Sequence, residues 1–129
     1  MSIIPESHRD LLERPLFAHL ATIRPDGRPQ VNPMWVRWDG EHLFFTNTTI
    51  RQKYRNITAN PEVACSINDP EKPYRYLEIR GVVERIDPDP SGEFFIALAE
   101  RYGLQLDGPP GDVEHRVVYV VRPIATSQQ

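Results

Sequence analysis

Proline and glycine cut this chain into pieces too short for anything but closely connected strands and brief helices. Thirteen prolines and seven glycines fall within 129 residues, spaced as punctuation rather than gathered in a tract. Two of the breaks are turn signals. Pro25-Asp26-Gly27 and Asp39-Gly40 put glycine where a tight reversal needs positive φ, with aspartate beside it. They divide LFAHLATIRPDGRPQVNPMWVRWDGEHLFFTN into three strands in hairpin order. In the second strand Met34, Val36 and Trp38 share one face and Val31, Pro33 and Trp35 the other. Apolar groups on both faces predict cover on both sides, and Pro33, which cannot donate to a ladder, predicts an edge or a bulge.

The period then changes. Ile50, Tyr54 and Ile57 form one helical stripe, with Thr48 or Thr49 as the expected N-cap and Asn60-Pro61 as the stop. Val63, Cys65 and Ile67 alternate as a fourth strand, and YRYLEIRGVVERI is a long fifth, bent at Gly81. Phe94, Leu98 and Tyr102 mark a helix closed by Gly103. HRVVYVVRP is the last strand, and PESHRDLLERP, between Pro5 and Pro15, a short opening helix. The expectation is one domain over residues 1–129, mainly β: six antiparallel strands in a small barrel or sheet with peripheral helices. A chain of this length buries roughly two-thirds of its unfolded surface.

Composition narrows the function classes. The net charge is -3 and the charged fraction 26%, with a pI near 5.8, which argues against nucleic acid as a partner because phosphate backbones select excess Lys and Arg. No apolar run is long enough to span a bilayer. MSIIPESHRD lacks a basic region followed by an apolar one. With a single cysteine and so no internal disulfide, a cytoplasmic location is expected.

The candidate chemistry is sparse. His8, His19, His42 and His115 are scattered without a metal-binding spacing, so no metal is expected. Cys65 shares its strand face with Val63 and Ile67, a core position rather than a nucleophile's. No GxSxG, Walker or GxGxxG pattern occurs. The cations Arg51, Lys53 and Arg55 are different because of where they stand. They follow Thr46-Asn47-Thr48-Thr49 directly at a strand-to-helix junction. Free backbone N–H groups and the helix dipole favour an anion there. Thr46, Thr48 and Thr49 can donate hydroxyl hydrogen bonds, Arg51 can grip two oxygens, and Lys53 adds a point charge. The competing reading is a solvated helix face, but first-turn cations oppose the dipole unless something negative is bound.

With these elements in order, the chain resembles the pyridoxamine 5'-phosphate oxidase-like (FMN-binding) split β-barrel superfamily, and within it the deazaflavin (coenzyme F-420) dependent oxidoreductases. The matching stretches are LATIRPDGRPQVNPMWVRWDG, FFTNTTIRQKYRNITANPEVACSI and YLEIRGVVERIDPD, with Arg51, Lys53, Asn56 and Asn60-Pro61 the most specific. The resemblance covers residues 5 to 125. It implies a split-barrel homodimer with two cofactor clefts between the subunits. The cofactor phosphate would sit on Thr46, Asn47, Arg51 and Lys53, and the tricyclic ring along Asn32, Pro33, Met34 and Trp35. Lys72, Tyr74 and Tyr76 of the second subunit would close the cleft.

The implied reaction is two-electron hydride transfer from F-420 to a small planar acceptor: a quinone, enone, nitroaromatic or tetrapyrrole-like compound. Trp35, Met34 and Tyr102 offer an apolar wall for it, or else pack as ordinary core or interface. FMN in the same cleft is the alternative, giving a reductase or oxidase. A non-catalytic carrier of the same fold is another. A pyridoxamine phosphate oxidase proper is disfavoured by the absence of an extended C-terminal segment, and a nucleic-acid-binding barrel by the spread of Asp and Glu.

Overall fold

The structure is a computed structural model describing residues 2–129. Its frame is a seven-stranded antiparallel sheet in the order β2-β1-β5-β6-β7-β4-β3. The strands are β1 (Ala18–Ile23), β2 (Pro29–Met34), β3 (Arg37–Trp38), β4 (Leu43–Thr48), β5 (Glu62–Asn68), β6 (Tyr76–Pro88) and β7 (Arg116–Gln128). Three helices, α1 (Asp10–Glu13), α2 (Gln52–Ala59) and α3 (Glu93–Arg101), lie where the sequence places them.

The predicted turns form. Gly27 and Gly40 both take positive φ, 86° and 101°, and the Asp39 carboxylate accepts the N–H groups of Glu41 and His42 at 2.8 and 2.7 Å. These bonds hold its carboxyl below the usual range. Gly81 bends β6: the β6–β7 register shifts there, and a Cβ at this position would lie 2.7 Å from the Arg122 carbonyl oxygen. Pro33 lies on an edge strand, where its missing N–H costs no ladder bond.

The strand count is corrected from six to seven. The predicted second strand breaks at Trp35-Val36, so that β2 pairs with β1 while β3 pairs with β4. These halves are the two opposite edges of the sheet. Chain continuity from Met34 to Arg37 allows at most about 10 Å between them, so the sheet must curl until its edges nearly meet. The chain thus spans the seam of a split barrel. Inside lie Leu20, Leu43, Phe45, Ile67, Leu77, Ile79 and Tyr119, with Leu11, Leu12 and Ile4 of the N-terminal segment and Val36 from the seam.

The expected cap of α2 is also corrected. Thr48 is the last residue of β4, and the N-cap is Arg51, extended and without a side-chain capping bond. Ile50 therefore falls outside the helix and is 57% exposed, while Tyr54 and Ile57 reach the core.

Candidate functional site

The cation seat is built where β4 hands over to α2. Thr46, Asn47 and Thr48 end a strand paired to β7 on one side only along this stretch, and all three are buried. Asn47 points to the core face with Phe45 and Leu43, whereas Thr46 and Thr48 point to the opposite face, by strand alternation. The Asn47 Nδ2 and the Thr48 hydroxyl are buried without a hydrogen-bond partner among the described residues. Such groups ordinarily find one: the Asn47 amide has the Tyr119 hydroxyl as its neighbour on the core face, whereas the Thr48 hydroxyl is an unfilled donor beside the helix start. The backbone N–H of Arg51 donates to the Thr48 carbonyl at 3.3 Å and that of Thr49 to the His115 carbonyl at 3.0 Å.

Lys53 turns from the first turn of α2 onto β2, where its Nζ donates to Asn32 Oδ1 at 3.2 Å. Burial lowers its pKa first and the neighbouring Arg51 charge second. Arg51 is exposed, and among the described residues neither cation pairs with a carboxylate. Two close positive charges with no counter-charge, one of them half-buried, form an unneutralised site that an anion would stabilise. The structure thus brings Asn32 together with Lys53 across 21 residues of sequence. Arg55, the third cation of the run, donates instead to Gln52 Oε1 at 2.6 Å and takes no part.

Asn56 has a different role from its neighbours. It is fully buried, its Nδ2 donating to Thr22 Oγ1 at 2.9 Å and Gln30 Oε1 at 3.2 Å, and its Oδ1 accepting from Gln52 at 2.8 Å. It pins α2 to β1 and β2 and so fixes the distance between Lys53 and Asn32.

Pro33 is exposed at the edge, Met34 packs on the core, and Trp35 is half-buried. The Trp35 ring stacks on Tyr102 at 5.5 Å and tilts against Phe95 at 5.8 Å. Lys72 and Tyr74 lie in the β5–β6 hairpin, Tyr74 85% exposed, and Tyr76 opens β6. Among the described residues none of these three bonds to the seat. Arg75 ties their hairpin to the N-terminal segment instead, bridging both Asp10 oxygens, Asp69 Oδ2 at 3.1 Å and the Ser7 carbonyl at 2.8 Å.

One residue near the seat gave no signal in the sequence. Arg116 pairs with Thr48 across β4 and β7 and directs Nη1 at Thr46 Oγ1, 3.4 Å away. Its guanidinium is held by Asp112 at 3.1 Å and lies 4.2 Å over the Phe95 ring. Only the pairing of strands about seventy residues apart puts it there, and no local pattern marks it. Cys65 is fully inside, its thiol pushed up to about 12 chiefly by burial, as its alternation with Val63 and Ile67 implied. Among the described residues no cluster of His, Cys, Asp or Glu is arranged for a metal, and no helix is long and apolar enough to cross a membrane.

Comparison with known proteins decides the family. The Pyridoxamine 5'-phosphate oxidase family model matches residues 4–128. The chain belongs to that family. A solved structure named F-420 reductase is 62% identical, covers 98% of this chain with 100% of its own, and superposes at a TM-score of 0.95. The protein Rv2991 of Mycobacterium tuberculosis is 25% identical over 98% of this chain and 84% of its own, at 0.75. General Stress Protein 26 of Bacillus anthracis, 19% identical over 95% of this chain and 91% of its own, shares the fold at 0.71. No curated protein matches the chain significantly.

Proposed function

We propose that this family member is an oxidoreductase that binds the deazaflavin coenzyme F-420 and passes a hydride to a small planar organic acceptor. The observation that carries this reading is the unneutralised Arg51–Lys53 pair beside the unfilled hydroxyl of Thr48. That donor set suits a phosphate: two cations and a hydroxyl at a helix start. The 62% identical F-420 reductase supports the choice of cofactor. When bound, the deazaflavin supplies two-electron hydride chemistry with little reactivity towards oxygen.

The protein's own work is then binding and orientation. Thr46, Asn47, Thr48, Thr49, Arg51 and Lys53 hold the phosphate, and Asn32, Pro33, Met34 and Trp35 support the ring. Lys53, bonded to Asn32, joins the two halves of the site. The Tyr102 hydroxyl gives its proton to the Leu16 carbonyl at 2.7 Å and so serves structure rather than proton transfer. Met34 and Trp35 form the apolar wall for a quinone, enone, nitroaromatic or tetrapyrrole-like acceptor. The site is completed in a cytoplasmic homodimer, in which Lys72, Tyr74 and Tyr76 of the second copy cover it. Exposure of Tyr74 and Val31 to solvent in the single chain, at 85% and 60%, supports a covering copy.

FMN is the second reading, favoured by the family's flavin chemistry, since its phosphate would suit the same cation seat. Parallel fluorescence titrations of the purified protein with F-420 and FMN separate the two. Tight F-420 binding and weak FMN binding are expected, followed by loss of reduced F-420 absorbance on adding acceptor. Tight FMN binding alone moves the protein to flavin chemistry. Binding of F-420 without turnover of any acceptor class makes it a carrier, and binding of neither removes the enzyme reading.

A further inference from the structure

The seam of the barrel leaves backbone groups at Val36 without a sheet partner. Val36 lies between β2 and β3, so its N–H and C=O belong to neither edge ladder, yet its side chain is buried. Both groups are taken by the end of α3. The Val36 N–H donates to the Tyr102 hydroxyl oxygen at 2.9 Å, and the Val36 carbonyl accepts from Arg101 Nε at 3.2 Å. Tyr102 in turn donates to the Leu16 carbonyl at 2.7 Å. Arg101 also caps the N-terminal segment, reaching the carbonyls of Leu12 at 2.7 Å, Arg14 at 3.0 Å and Glu13 at 3.2 Å. The Tyr102 ring, fixed by these bonds, stacks on Trp35 at 5.5 Å with 19° between planes.

We propose that Tyr102 is a positioning residue that locks the Trp35–Val36 kink and thereby sets the Trp35 ring as the end wall of the cofactor and acceptor site. This rests on the reading that the tricyclic ring lies along Asn32 to Trp35. Backbone freed from a sheet can take several conformations, each redirecting the next side chain. Two hydrogen bonds at Val36 and a ring stacked on Trp35 select one. Arg101 shares the task but also holds the N-terminal segment, so Tyr102 is the residue whose change isolates the effect.

The test uses the full chain in a Trp38→Phe background, leaving Trp35 as the only tryptophan. Tyr102→Phe keeps the ring and deletes the hydroxyl; Tyr102→Leu deletes both. In the protein without cofactor, Trp35 emission is expected to shift and its acrylamide quenching to rise in Tyr102→Phe, more so in Tyr102→Leu. Affinity for F-420 should fall about tenfold in Tyr102→Phe, of the order expected from one lost hydrogen-bond anchor. Competition by inorganic pyrophosphate for the cation seat should stay unchanged. Trp35 emission and quenching identical to the parent in both variants would overturn the proposal. So would an equal loss of F-420 and pyrophosphate affinity, which would signify general loosening. Failure of the parent to bind F-420 removes the functional reading alone, because the cofactor-free fluorescence still decides whether Tyr102 fixes the kink.

Discussion

At the residue scale the decisive contrast lies within the six residues from Arg51 to Asn56. Arg51 and Lys53 are close enough for one charge to act on the other, Arg55 is spent on Gln52, and Asn56 is sealed in the interior. Arg51→Ala and Lys53→Ala should each weaken cofactor binding by about 1–3 kcal/mol, read by fluorescence titration, whereas Arg55→Ala should leave it unchanged. Lys53 also gives the site a pH dependence. Its pKa is lowered by burial and by Arg51, so the cation is lost as pH rises through a value below that of an ordinary lysine. Affinity for the anionic cofactor should therefore fall on the alkaline side, and Lys53→Arg should move that fall to higher pH. A flat alkaline profile in the parent would assign the anion elsewhere.

At the element scale two features can be tested separately. The bend of β6 depends on Gly81, whose absent side chain leaves room for the Arg122 carbonyl and Val121 Cγ1. Gly81→Ala should cost about 1–3 kcal/mol of unfolding free energy through overpacking, measured by denaturant titration. The β5–β6 hairpin depends on Arg75, which bridges Asp10 and Asp69, with Arg14 beside both carboxylates at 3.5 Å. The hydrogen bond from Arg75 is the largest cause lowering the Asp10 carboxyl. For Asp69 the Glu71 backbone N–H comes first and Arg75 after it. Folded values below the unfolded ones mean stability that is present above the ordinary carboxylate range and lost as pH falls through the folded values. Melting temperature should drop as pH falls below about 4, and Arg75→Gln should shrink that drop while lowering the plateau at neutral pH.

At the scale of the whole molecule, the curled sheet keeps Val31 and Phe17 in solvent, 60% and 56% exposed, beside the β2 edge. An uncovered apolar edge is a liability that proteins usually blunt or pair. The proposed homodimer covers it and completes the cleft. Sedimentation equilibrium should give twice the chain mass of 14.9 kDa, and Val31→Glu should lower both dimer content and F-420 affinity. A monomer that binds F-420 as tightly as the parent protein would remove the second copy from the site.

The sequence alone determined the elements whose signals are local. Gly27 and Gly40 mark turns because few other residues accept positive φ. Val63, Cys65 and Ile67 alternate because one face of β5 is core, and the cations stand out because they crowd a strand-to-helix junction. The fold class, the three helices and the bend at Gly81 were legible for these reasons, as was the choice of Arg51 and Lys53 as candidates. Only the tertiary structure decided what depends on distant segments meeting. It split the second strand at Trp35-Val36, because curling the sheet brings both edges to one seam and leaves no ladder there. It moved the α2 cap from threonine to Arg51, because Thr48 is held in β4 by pairing with Arg116. It set Arg116 beside Thr46 and Tyr102 beneath Trp35, across gaps of about seventy residues that no periodicity can register. Short-range patterns follow from the local geometry of the backbone, whereas a site assembled at a closing seam follows from how the sheet curls.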